Sequence, residues 1–241
     1  MADRAWACAA IINNESPWGN VSFGSAPLSI VQDAHGNFFG VTDFAGTIGA
    51  GVLFEITSTY KYKALRSFDA VSGYPVSGLT IGNDGKIYGK TVGNSGLNGG
   101  TIFNVTSEGV YTRVYSFSND CLVGCVPFWG PLFQGTGGFF YGATVNGGSS
   151  NAGTVFALDN GLGPLVKTAP TAGKVGKNVL ILGNGLTGTT SVTFNGVGAA
   201  FTVESDTYIK ATVPAGATTG IVSVVTPSGT LDSSPQFVVT K

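Results

Sequence analysis

The sequence predicts an all-β protein, in which a propeller-like array of about three four-stranded antiparallel units precedes a β-sandwich. Two observations predict this fold. A short motif recurs three times in the first two thirds of the chain, and glycine is abundant, at 38 of 241 residues. A repeat period near fifty residues is typical of a supersecondary unit, because it is too long for a single strand or helix.

The recurring motif consists of two apolar residues, a glycine, a variable residue and a threonine. Its copies are residues 38–42, 87–91 and 140–144, and each is followed by a glycine-rich stretch and a Gly-x-x-Phe. Equivalent positions are 49 residues apart between the first two copies and 53 apart between the last two. This regular spacing indicates an array of similar units.

Each unit is predicted to contain four short strands joined by turns. In the second copy, Asn83-Asp84-Gly85 is a hairpin signal, since Asn, Asp and Gly tolerate the positive φ of tight turns. The apolar runs of that copy are residues 76–81, 86–89, 100–105 and 111–117. Four strands per repeat are typical of propeller blades, but closed propellers usually have four to eight blades. Three units therefore predict an open array, closure with a partner chain, or a fragment of a longer protein.

The last third of the chain has a different pattern. About seven short alternating or apolar strands, separated by turn residues, predict a β-sandwich of roughly eighty residues. A Gly-Leu-Gly-Pro stretch that starts at Gly161 interrupts the repeat pattern just before it. We therefore predict two domains, residues 1–160 and 161–241, each large enough to bury a core.

Both domains resemble known families. Residues 27–158 resemble the GloVer-type tandem repeat of bacterial cell-surface proteins, through a proline before an apolar strand, the Phe-Tyr-Gly-x-Thr motif and a later Tyr-Ser-Phe. The last eighty residues resemble the IPT/TIG domain, an immunoglobulin-like module. The residues that carry this second resemblance are Pro170, Gly173, Gly176, Gly183, residues 192–196, Val213-Pro214, Thr226-Pro227 and Phe237. The resemblances imply an immunoglobulin-like sandwich and an extracellular or cell-surface location.

Charge and hydropathy exclude several classes of partner. The chain has 12 basic and 13 acidic residues and a net charge of −1, so it lacks the clustered cations that nucleic acid binding requires. No stretch approaches the roughly twenty apolar residues of a membrane span. The apolar start of the chain breaks at Asn13-Asn14, too early for a convincing signal peptide.

Cys121 and Cys125 lie in one loop, as a Cys-x-x-x-Cys pair, and related repeats often carry a similar pair. A disulfide across so small a loop or a pair of free thiols is the favoured interpretation. Zinc usually takes four ligands, and only Cys8 and His35 are left to complete such a site. We therefore predict no metal site and no cofactor.

Catalytic motifs are scarce, since the chain has a single histidine and no Gly-x-Ser-x-Gly. The candidates for catalysis are Asp43, Asp69 and Asp120, of which the last two follow the repeated Ser-Phe. Paired carboxylates hydrolyse glycosides. The alternative is that these acids cap turns and keep the surface soluble.

Aromatic residues are the best candidates for ligand binding. Tyr88 and Tyr141 share a repeat position with Phe39, so they either stack on a ligand or pack between repeats. Trp129 lies in a loop that does not repeat, and we predict it as the first ligand contact.

Together these features predict a non-catalytic binding module, extracellular or at the cell surface, for carbohydrate or protein. One alternative is a hydrolase that acts on polysaccharide or ester through acidic loop residues. A second is a structural fragment of a longer repeat protein. Because three units leave terminal sheet edges uncovered, the sequence also predicts a homo-oligomer formed through the repeat domain.

Overall fold

The computed structural model describes residues 25–69, 71–93 and 99–241. Within these residues the chain forms 22 strands and no helix, which confirms the all-β prediction. Cys8 and the apolar N-terminal residues considered above lie outside the described ranges.

The first repeat forms a four-stranded antiparallel sheet in chain order. Its strands are β1 (Ser25–Gln32), β2 (Phe38–Phe44), β3 (Val52–Ile56) and β4 (Tyr62–Ser67). The second repeat follows the same course, except that its first strand is split into two short pieces that both pair with β7. Its strands are β5 (Tyr74–Pro75), β6 (Thr80–Ile81), β7 (Ile87–Val92), β8 (Thr101–Val105) and β9 (Tyr111–Ser116).

The third repeat differs from the prediction, because its sheet has three strands within the described residues instead of four. They are β10 (Phe133–Gln134), β11 (Phe140–Thr144) and β12 (Thr154–Leu158). The third copy has no Tyr-Ser-Phe segment after its Gly-x-x-Phe, and the chain reaches Gly161 and Pro164 instead. The residues that form the fourth strand in the other repeats are therefore missing from this copy.

The repeated threonine explains part of the motif, because it joins the end of one strand to the start of the next. The three contacts are Thr42 Oγ1 with Val52 N at 3.0 Å, Thr91 Oγ1 with Thr101 Oγ1 at 2.6 Å, and Thr144 Oγ1 with Thr154 N at 3.0 Å. Each bond spans the glycine-rich loop of its repeat, which sits between the second and third strands of the unit.

A hydrophobic core lies between the first and second sheets. Its fully buried members include Phe39, Leu53, Phe68, Phe103 and Val105. The rings of Phe68 and Phe103 meet edge to face, with centroids 5.4 Å apart. This packing joins the first two repeats into one body.

The C-terminal part is a β-sandwich. One sheet has the order β13 (Lys167–Ala169), β15 (Asn178–Leu182), β19 (Tyr208–Thr212) and β18 (Phe201–Ser205). The other has the order β17 (Val197–Gly198), β16 (Ser191–Phe194), β20 (Val222–Thr226) and β21 (Gly229–Asp232), and β14 (Ala172–Lys174) pairs in parallel with β22 (Val238–Thr240). Alternate residues of the sheets, such as Ile181, Phe194, Ile209 and Val224, fill the core.

The chain divides into two compact units. Among the described residues, those up to Ile81, those between 85 and 133, and residues 141–157 form the first, and residues 82–84, 134–140 and 158–241 form the second. Within the described residues no sheet contains strands from both sides of residue 160. The domain boundary at that residue stays a prediction.

Candidate ligand-binding cleft

A cleft of about 480 Å³ opens in the first compact unit. Three short segments line it, one from each repeat, and each of them follows a proline: Pro27, Pro75 and Pro127. The lining residues are Leu28, Ser29, Ile30, Val76, Ser77, Gly78, Leu79, Phe128, Trp129, Gly130 and Pro131. The cleft therefore forms where equivalent segments of the three repeats converge.

The surface of this cleft is mainly apolar. Its two hydroxyl side chains each make one hydrogen bond within the protein: Ser29 Oγ accepts the backbone N–H of Leu79 at 2.9 Å, and Ser77 Oγ donates to the Gly78 carbonyl at 3.3 Å. None of the described residues named above as lining the cleft carries a charged side chain. A ligand would therefore meet mainly aliphatic and aromatic groups.

Trp129, predicted from the sequence as the first ligand contact, lies at this cleft and is 74% exposed. Its ring packs edge to face against Phe128, with centroids 4.7 Å apart. Ile30, on β1, is 52% exposed at the same cleft. The rim thus presents large apolar side chains to solvent.

Lys90 lies behind Trp129 and was not expected at the site. Its side chain is 1% exposed, and its Nζ donates to the backbone carbonyl of Trp129 at 2.9 Å. Burial lowers the pKa of Lys90 to about 8. The sequence contained a signal for this residue, because Val41 and Ala143 occupy the same motif position in the other repeats.

The aromatic residues at the shared repeat position have different environments. Phe39 and Tyr88 are both 0% exposed, so neither offers a ring face to a ligand in this structure. Tyr141, on β11, is 41% exposed but is not among the residues that line the cleft. Phe39 belongs to the core between the first two sheets, which accounts for its burial.

The three candidate acids do not line the cleft. Asp43 lies on β2. Asp69 Oδ1 accepts hydrogen bonds from the hydroxyl and the backbone N–H of Ser72, both at 2.7 Å, and these bonds lower its pKa. Asp120 Oδ1 accepts the backbone N–H of Leu122 at 3.0 Å, which lowers its pKa as well. Asp69 and Asp120 thus each cap the turn that follows them.

Cys121 and Cys125 form a disulfide, with their α-carbons 5.0 Å apart. Cys125 also pairs with Asn146 through two backbone hydrogen bonds, which ties this loop to the segment after β11.

In the part of the chain that the structure describes, no three His, Cys, Asp or Glu residues are grouped so that they could hold a metal ion. The described residues also contain no helix long and apolar enough to cross a membrane.

The sheets and the cleft define a β-repeat protein. The chain belongs to the Gloeobacter/Verrucomicrobia repeat family, whose profile matches residues 18–203. That match runs past residue 160 into the sandwich, and it does not include the last part of the chain. No curated protein matches the chain.

Two solved structures are distantly similar to the chain. One is a fungal alcohol oxidase of the AA5 family in complex with copper, at 13% identity and a TM-score of 0.41, over 92% of this chain and 56% of that one. The other is a candidate gluconolactonase, at 11% identity and a TM-score of 0.34, over 77% of this chain and 58% of that one. The chain thus spans less than two thirds of either protein.

Proposed function

We propose that the repeat domain is a non-catalytic binding module for a protein ligand, which places an apolar side chain in the cleft. The observation that carries this proposal is the exposed ring of Trp129 on an apolar rim. Tryptophan is enriched among the residues that dominate binding energy at protein interfaces, and exposed apolar patches commonly mark interaction sites.

A protein ligand fits the cleft better than a carbohydrate. Sugars need several hydrogen-bonding partners for their hydroxyl groups, and the only hydroxyl side chains among the lining residues named above are two serines, each of which already makes one bond within the protein. An apolar side chain would instead bury its surface against Leu28, Ile30 and Trp129, at a gain of roughly 25 cal/mol per Å² of apolar area. Carbohydrate binding is therefore the alternative outcome of the test.

The proposal includes an extracellular or cell-surface location. The disulfide between Cys121 and Cys125 supports this location, because disulfides persist mainly in oxidising compartments.

The sandwich, which we propose to be an IPT/TIG-type domain of residues 161–241, would serve as a spacer or docking domain. Its two four-stranded sheets around one core support that assignment.

The observations favour this binding role over the hydrolase alternative. Asp69 and Asp120 cap turns, and none of the candidate acids lines the cleft. Asp→Asn variants of Asp43, Asp69 and Asp120, assayed on glycoside and ester substrates, would test hydrolysis directly. We expect no hydrolysis above the blank from the wild-type chain.

The binding proposal is tested with a phage-displayed random peptide library and a glycan array. We expect the wild-type chain to select peptides with an aliphatic or aromatic anchor, and Trp129→Ala to lose them. Phe44→Ala is the matched control, since it removes an exposed aromatic ring that does not line the cleft. Glycan binding that depends on Trp129, or peptide binding that survives its loss, would overturn the proposal.

A further inference from the structure

We infer that Lys90 is the positioning residue of the cleft, because its ammonium group holds residues 128–130 from beneath and so keeps the Trp129 ring at the rim. The inference rests on the proposed function for its ligand, although its test needs no ligand. The ammonium nitrogen lies 2.9 Å from the Trp129 carbonyl oxygen. Lys90 is 1% exposed and Trp129 is 74% exposed, so a buried cation supports an exposed ring.

The sheet itself does not require a lysine at this position. Val41 and Ala143 occupy the same place in the motif, each between the conserved glycine and threonine of its own repeat. Val41 is apolar and is fully buried in the core between the first two sheets. Burial of an ammonium group opposes folding unless the group is paired. The charge of Lys90 is therefore best explained by its contact outside the strand.

That contact lies at the middle of the segment that carries the ring. At one end, the backbone N–H of Val126 donates to the Gly99 carbonyl at 2.7 Å, and the Val126 carbonyl accepts the N–H of Val145 at 3.0 Å. At the other end, the Leu132 carbonyl accepts the hydroxyl of Thr80. Trp129 lies three residues from either end, where the bond from Lys90 reaches it.

Without the bond from Lys90, the segment would be held at its two ends and by the N–H of Phe128, which donates to the Val126 carbonyl at 2.8 Å, and the Trp129 side chain would be freer to move. Ordering such a segment on binding costs free energy, whereas a ring that is already fixed binds without that cost. Lys90 thus favours ligand binding by preorganising the rim, although it does not touch the ligand.

The test observes Trp129 directly. The chain has three tryptophans, so Trp6→Phe with Trp18→Phe leaves Trp129 as the sole fluorophore. In this background we compare Lys90→Met, which keeps the length and removes the charge, with Lys61→Met, which removes an exposed lysine of the first repeat. Time-resolved fluorescence anisotropy measures the fraction of mobile rings, and thermal unfolding measures the fold.

We expect Lys90→Met to stay folded. We expect the fraction of mobile Trp129 rings, which should be small in the parent protein, to rise about tenfold, because the variant loses one hydrogen bond from a charged donor. Lys61→Met should leave the anisotropy unchanged. If Lys90→Met does not fold, Lys90→Val is measured instead, because valine occupies this position in the first repeat.

Two results would overturn the inference. The first is an unchanged anisotropy in a folded Lys90 variant, since the lysine would then not hold the ring. The second is loss of the fold in both Lys90 variants, since the lysine would then serve the sheet. Failure to find a ligand would count against the proposed function alone, because the anisotropy is measured without one.

Discussion

The ring of Phe103 lies directly over Gly89 on the neighbouring strand, and the two residues are paired across β7 and β8. A β-carbon at Gly89 would come within 3 Å of that ring. The same relationship holds between Gly40 and Phe54, which pair across β2 and β3. The glycine and the phenylalanine of each repeat therefore form one packing unit.

We expect Gly89→Val to destabilise the protein by about 1–3 kcal/mol, because the added side chain must displace the Phe103 ring. Thermal or denaturant unfolding measures the change. Gly198→Val is the matched control, since Gly198 also lies in a strand and a β-carbon there meets no atom within 4 Å. Equal melting temperatures for Gly89→Val and the wild type would contradict the expectation.

The bond between Thr91 and Thr101 is completely buried, and both residues are 0% exposed. Thr91→Val should cost about 1–3 kcal/mol of stability, because it leaves the hydroxyl of Thr101 without this partner. Replacing both threonines by valine should cost less than the sum of the two single changes. A double-mutant cycle by urea unfolding checks this, and strictly additive costs would show that the two hydroxyls do not interact.

Lys90 should make stability depend on pH. Its pKa in the folded protein is about 8, below the ordinary lysine value of 10.5, so between these pH values the unfolded chain binds more protons than the folded protein. The folded protein should therefore become more stable as the pH rises through that window. Below pH 8 the cost of burying the charged ammonium group should be at its full value. At pH 7 the charged form of buried Lys90 should cost the fold on the order of 3 kcal/mol relative to the neutral form. Lys90→Met removes this cost together with the hydrogen bond to Trp129, so we expect it to gain stability over the wild type at pH 7 by no more than this amount.

This pH dependence is best measured by denaturant unfolding between pH 7 and 9.5. Above about pH 10, Tyr62 acts in the opposite direction, because burial raises its pKa to about 12 and its proton is lost first from the unfolded chain. The advantage of Lys90→Met should shrink as the pH rises. A constant difference between the two proteins across this range would contradict the explanation.

We further predict that the full chain self-associates through its repeat domain, because β1 and β4 end their sheet without a further strand in the described residues. Light scattering should show an oligomer for the full chain. Residues 161–241 expressed alone should be monomeric. A monomeric full chain at micromolar concentration, or equal association of the isolated sandwich, would count against this prediction.

The motif could be recognised from sequence because its contacts are local. Gly89 and Phe103 pair within one hairpin, as do Thr91 and Thr101, and strand register fixes such neighbours at a constant separation in every repeat. The same spacing therefore recurs along the chain and can be read without coordinates. The all-β class followed from this periodicity, together with the turn residues between strands.

The cleft depended on tertiary structure, because it unites segments about fifty residues apart that no hairpin register connects. The sequence predicted Trp129 only because this residue lies in a loop that does not repeat. It predicted neither the apolar lining residues of the other repeats nor Lys90 beneath the ring. The repeated prolines mark where each lining segment begins, but only packing of the repeats brings those segments together. Lys90 and Trp129 are 39 positions apart in the sequence, and they come into contact only because the second and third repeats pack together.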